Sequence, residues 1–246
     1  MSSQLQQKLI AKYRIVIIIC LGILVAGFLL RKPAANFFLS RGNYYFNGGA
    51  YDLPWAIRYY RLVLIFDKKT PNARYRLSDA LFVSGDADGA LKEINQVILE
   101  NPNFGKAYYI RGLVYGMTKR PDEAIRDFKK IIELGQLSET SWAVYNDLSW
   151  VEFQKGDYSS VEETTKEGLM RYPNNPWLLN SQGLALLNLG RKKEAESVLT
   201  EALARAEALT EEGVVHAYPG NDSRIATEKR TSIINTIRLN LVLAKN

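Results

Sequence analysis

Cysteine and histidine are almost missing from this chain: one of each in 246 residues. Cys20 alone allows no intramolecular disulfide and no cysteine-based metal site. The lack of cysteine after residue 20 fits an oxidising compartment. His216 has no thiol and no second imidazole to work with, so it reads as a surface residue and not as an acid–base group. No phosphate loop and no dinucleotide fingerprint is present. Segments that alternate apolar and polar at period two are also wanting, which argues against sheet. Asp86-Ala87-Asp88-Gly89 imitates part of a calcium loop, but with Gly89 in sixth place the twelfth is Asn95, not glutamate. The acceptor sequon Asn221-Asp222-Ser223 matters only in a secretory lumen. These absences predict a protein without catalytic activity, cofactor or metal.

Acids are missing from residues 1–34, which carry Lys8, Lys12, Arg14, Arg31 and Lys32. The other 212 residues carry 27 bases and 26 acids. The net charge of +6 therefore belongs to the flanks of an apolar run. That placement suits anionic lipid headgroups and argues against nucleic acid.

The run is Ile15 to Leu30, sixteen residues without a charge. As a helix it is about 24 Å long, slightly short for a hydrocarbon core of about 30 Å. Arg14, Arg31 and Lys32 can snorkel, and Tyr13, Phe37 and Phe38 can sit at the interfaces. We expect a retained anchor over 15–32 behind a basic tail, 1–14. A cleaved signal ending near Val25-Ala26-Gly27 competes, but the apolar run continues past that point. Basic residues tie across the span, three against three. The short tail and large C-terminal part point to a single-pass protein of a bacterial cytoplasmic membrane with its C-terminal domain outside the cytoplasm.

The rest is periodic. Ala56, Ala90, Ala124, Val161 and Ala195 open amphipathic stretches at spacings of 34, 34, 37 and 34. A small residue precedes each by a dozen or so positions: Gly42, Ser78, Gly112, Ser149, Gly183. Turn signals lie between, such as Ser84-Gly85-Asp86 and Lys155-Gly156-Asp157. Each unit is thus helix, turn, helix, with glycine or serine expected to face alanine where the two helices cross. One hairpin cannot bury both faces, so units stack and the last needs a cap. Residues 223–244, with Ile225, Ile233, Ile234, Ile237 and Leu241 on one side, supply it after a connector, 210–222.

This pattern resembles the tetratricopeptide-repeat family, with its small residue at position eight, alanine at twenty and proline near thirty-two. The copies fall at 35–70, 71–104, 105–138, 142–175 and 176–209. Tyr108, Gly112, Tyr115, Ala124 and Phe128 mark the third; Gly183, Leu186, Ala195 and Leu199 mark the fifth. The fourth departs at Val161, Thr165 and Gly168. The resemblance implies an all-α solenoid of about five helical hairpins plus a C-terminal capping helix, preceded here by one transmembrane helix.

It also implies a groove lined by the first helix of each hairpin. The family's groove positions hold Asn72, Tyr75, Asp79 and Phe82; Lys106, Tyr109, Leu113 and Met117; Asn146, Trp150, Phe153 and Gln154; Trp177, Asn180, Leu184 and Asn188. Asparagines can pair with a peptide backbone and aromatics supply apolar area; the alternative is that several of these aromatics pack between repeats. Asn43, Arg76 and Lys106 hint at the clamp that some relatives close on a chaperone's C-terminal carboxylate. Leu39 and Ile110 occupy further clamp positions and argue against it. The expected function is a membrane-anchored scaffold for a protein or peptide partner, in envelope assembly or secretion. An accessory subunit of a secretion translocon, a cytochrome-maturation chaperone and a regulator of a partner enzyme are the alternatives.

Overall fold

Eleven α-helices and no strand occur among the described residues. The computed structural model describes residues 3–70, 72–138, 141–210 and 226–246, without the side chains of 3–12, 14, 15, 22–24, 26, 226 and 227. His216, the sequon at 221–223, the connector after Thr210 and Ile225 lie outside the described residues, as do the side chains of Lys8, Lys12 and Arg14. The chain divides into two compact units, 1–77 and 78–246.

In the first unit, α1 (Ser3–Asn47) is one uninterrupted helix that contains the apolar run. Val16, Ile17, Ile18, Ile19 and Leu21 are each 48–67% exposed, as are Phe28, Leu29 and Leu30. Among the described residues no helix is long and apolar enough to cross a membrane; within the run, the side chains at 15, 22–24 and 26 are among those not described. The C-terminal third of α1 folds against α2 (Leu53–Phe66). Asp52 caps α2, its side chain accepting from the Trp55 amide at 3.2 Å. Ala35, Val63 and Ala73 form the core here, with Phe38, Leu39 and Leu64 packed on it.

α3 (Ala73–Val83) carries the boundary, and four hairpins follow. They are closed by α4 (Ala87–Glu100), α5 (Gly105–Met117) with α6 (Pro121–Glu133), α7 (Trp142–Gln154) with α8 (Tyr158–Arg171), and α9 (Pro176–Asn188) with α10 (Lys192–Glu207). Their turns share one bond: the amides of Asp86, Arg120, Asp157 and Arg191 reach back to the carbonyls of Leu81, Tyr115, Glu152 and Leu186 at 2.9–3.1 Å. The residue before each amide has a positive φ: Gly85 88°, Lys119 58°, Gly156 77°, Gly190 77°. Asp86 and Asp157 then cap the second helix by accepting from Gly89 and Ser160. The pseudo-calcium motif is therefore a turn and helix cap.

Ala56, Ala90, Ala124, Val161 and Ala195 are all fully buried. At the three glycine partners the nearest side chain is not the expected alanine. A Cβ added at Gly112 would lie 2.9 Å from the Phe128 ring, at Gly42 2.6 Å from Tyr60, and at Gly183 2.5 Å from Leu199. The glycines make room for the bulky residue one turn beyond the alanine. In the second repeat the small residue meets the alanine itself, Ser78 donating to the Ala90 carbonyl at 2.9 Å. The fourth repeat inverts the scheme. Its bulk stands on the first helix, as fully buried Tyr145, and its gap on the second, as Gly168, whose added Cβ would meet Tyr145 at 3.0 Å.

α11 (Ala226–Lys245) packs on α10 and α9, where the first helix of another repeat would lie. Ile233, Ile234 and Ile237 bury against Leu179, Leu199 and Ala202. Arg230 donates to the carbonyls of Leu209 and Glu207 at 2.6 and 2.7 Å, placing a cation at the negative C-terminus of α10.

Candidate functional site

The first helices α5, α7, α9 and then α11 are neighbours and form one layer of the second unit, while the second helices α6, α8 and α10 each pack on the first helices before and after them. On this layer the helix-to-helix seams carry polar bonds. Tyr109 on α5 donates its hydroxyl to Asp147 on α7 at 2.7 Å. Asn240 on α11 donates to the Asn180 side-chain oxygen on α9 at 2.8 Å. Asn146 adds a 3.3 Å bond to Asp147. Burial pushes the Asp147 carboxyl up to about 6, an effect that the Tyr109 hydroxyl and the Asn146 amide oppose.

The groove candidates separate by environment. Trp150 is 47% exposed and Met117 is 68% exposed. The Trp150 ring approaches α5 at Gly116, where an added Cβ would stand 3.4 Å from it. Asn146, Leu113, Leu184 and Phe153 are half-buried, and Phe153 meets Tyr158 edge-on at 5.2 Å. Lys106, Gln154 and Asn188 are exposed. Tyr109 is half-buried, tilted against Phe128 and tied to Asp147.

Two candidates lie elsewhere in the packing. Trp177 stacks on Trp142 of the preceding first helix, 4.8 Å between centroids, and joins the core. Asn180 is buried beneath α11 with its oxygen taken by Asn240. The sequence offered no sign of that pairing, because the partner comes sixty residues later across a segment without a repeat signature. Asp147 was missed as well: it sits one position off the family's groove pattern and is legible only through its partner Tyr109. Asp79 and Phe82 are half-buried in the second unit, and Asn72 (exposed) and Tyr75 (half-buried) belong to the first. Of the clamp positions, Asn43 accepts a 2.9 Å bond from the Tyr60 hydroxyl, Arg76 lies over Tyr75, and Lys106 is exposed.

Stacked hairpins whose first helices form a layer of mixed polar and aromatic residues define a helical-repeat solenoid. The hairpins include tetratricopeptide repeats: models of that repeat match residues 75–139 and 178–208. The chain is 27% identical over 179 residues to the TPR repeat-containing protein YpiA of Bacillus subtilis, covering 70% of this chain and 40% of that protein. It is 31% identical over 115 residues to the Hsp70-Hsp90 organizing protein 1 of Glycine max, covering 47% and 20%. The chain thus spans well under half the length of these curated relatives. Among solved structures, MamA from Desulfovibrio magneticus superposes with a TM-score of 0.63 at 17% identity, over 71% of this chain and 96% of that one. A second MamA crystal structure gives 0.61 at 22% identity, over 71% and 92%. At these identities the likeness is one of fold.

Proposed function

We propose that this chain is a membrane-tethered scaffold that holds a protein or peptide partner on the inner layer of first helices and performs no chemistry of its own. The observation that carries the reading is Trp150: a large aromatic left 47% exposed over the seam between α5 and α7. Exposed aromatics flanked by hydrogen-bonding groups are the usual anchors of binding hot spots. Leu113, Met117, Asn146, Phe153 and Leu184, at the family's other groove positions on α5, α7 and α9, belong to the same proposed surface. Asn180 contributes by holding α11 in place.

The tether is residues 15–32. Successive residues of a helix point about 100° apart, so exposure of every described residue from Val16 to Leu21 means that the protein covers no side of the segment. Lipid would. The setting that suits a tail, one span and a solenoid is a bacterial cytoplasmic membrane, with the repeats outside the cytoplasm serving envelope assembly or secretion.

A photo-crosslinking residue in place of Trp150, in the full chain in native membranes, tests the site. We expect a discrete adduct there and none from position Met170, 80% exposed on the second helix α8. The reverse pattern would move the partner to the other layer. Retention of the chain in membranes at alkaline pH is expected of the tether, and release would contradict it. Protease added outside spheroplasts should digest residues 35–246; full protection would reverse the orientation.

A further inference from the structure

The charge of this protein is divided by unit. Residues 1–77 hold 12 bases and 2 acids, residues 78–246 hold 20 bases and 24 acids, so +10 stands against −4. Much of the first unit's excess lies beyond the apolar run, on the hairpin of α1 and α2, where Asp52 and Asp67 are the two acids.

That hairpin is antiparallel, and its ring contacts give the register. Phe38 meets Phe66 at 5.3 Å, Asn43 bonds Tyr60, and Tyr45 stacks with Trp55 at 6.1 Å. The C-terminal end of α2 is therefore level with residues 35–38 of α1, while the turn at 48–52 is the far end. Because α1 is continuous, the level of Phe37 lies about 10 Å beyond Leu30 along one axis, at 1.5 Å per residue. A core of about 30 Å needs some twenty helical residues, so a span beginning at Ile15 emerges near Ala34. Phe37 and the end of α2 then fall in the headgroup layer.

The residues at that level have the matching chemistry. Phe37 is 59% exposed, Ile65 73% and Phe66 41%. Lys68 and Lys69 are exposed beside them, and Lys32, also exposed, and Arg31, over the Phe28 ring at 4.6 Å, precede Phe37 by five and six residues and reach the same layer by snorkelling. Asp67 is the single acid among them, and its side chain is engaged by the Lys69 amide at 3.1 Å. Exposed apolar rings and a cluster of cations at one end of a hairpin, continuous with an apolar helix, match a layer of acyl-chain boundary and phosphate.

We infer that the near end of the first hairpin, Phe37, Ile65 and Phe66 with Lys68 and Lys69, is seated on anionic phospholipid headgroups. The tether reading sets which end faces the bilayer. The seat holds the start of the solenoid against the membrane instead of leaving it free on a stalk.

The test places a fluorophore on the full chain at Ile65→Cys, with Cys20→Ser, in vesicles carrying a headgroup nitroxide quencher. We expect strong quenching with 30% phosphatidylglycerol, and loss of it in half-molar salt. Lys68→Gln with Lys69→Gln should weaken the seated state about tenfold or more. Equal quenching in purely zwitterionic vesicles would overturn the anionic-lipid assignment. A dye that stays in water while the chain resists alkaline extraction would overturn the seat and leave the tether standing. Quenching in a chain that alkali releases would sustain the seat and sink the tether. Protection of the dye by an added oligonucleotide in place of lipid would assign the patch to nucleic acid and end the proposal.

Discussion

At the residue scale the stacking depends on a few glycines whose missing side chain is occupied by a neighbour. Phe128 is 1% exposed and its ring stands 2.9 Å from where a Cβ on Gly112 would be. Gly112→Ala should therefore cost about 1–3 kcal/mol by overpacking, read as a lowered denaturant midpoint. Phe128→Leu in the same chain should recover part of it, since neighbours couple; two fully additive losses would show that the ring is not the obstacle. Asp147 gives a pH signature. Its carboxyl is held up to about 6 by burial, above the ordinary value near 3.9. Between those values the folded chain binds the proton and the unfolded chain does not. This group's contribution to stability is therefore greatest below about pH 4 and falls as pH rises through 6. Asp147→Asn keeps an acceptor for the Tyr109 hydroxyl and removes the charge. It should raise the melting temperature at pH 7.5, with the gain gone at pH 4; an equal gain at both would contradict the burial argument.

At the element scale, the 34-residue rhythm was legible because a helical hairpin tolerates little at its crossing. Five positions read as crossings, from Ala56 to Ala195, are completely buried. What faces them was not legible, since spacing marks where helices approach and not which side chain fills the gap. The exchange of bulk in the fourth repeat, Tyr145 against Gly168, shows why its second helix read poorly: volume is conserved across the pair and not at each position. The groove was half legible for the same reason. Trp150 and Trp177 occupy equivalent strips of their helices, yet Trp177 finds Trp142 to stack on and Trp150 lies over Gly116, 47% exposed. The turns yield a further prediction. Lys119 stands at φ 58°, where the other hairpins of the second unit have glycine. A side chain there costs about 1–2 kcal/mol, partly offset by the entropy glycine loses on folding. Lys119→Gly should stabilise the chain by about 0.5–1 kcal/mol, measured by equilibrium unfolding; a loss would mean that the lysine makes compensating contacts in the turn.

At the scale of the whole molecule, two units of opposite charge suggest a division of labour. The basic unit carries the apolar segment and the first hairpin, and the acidic unit carries the later hairpins, whose first helices are the proposed partner face. Asn180 and Asn240 tie α9 to α11, so the inner layer ends at a helix with no repeat signature of its own. The central claim is that this layer binds a partner through side chains the fold does not need. Trp150→Ala decides it most directly, with thermal melting and capture of the crosslinked partner measured on the same full-length preparation. The account predicts a melting temperature within a degree or two of the parent and a loss of affinity of about thirtyfold or more, as for a hot-spot aromatic. A collapse of melting, as for a core aromatic worth about 3–5 kcal/mol, or unchanged capture by a normally melting protein, would contradict it.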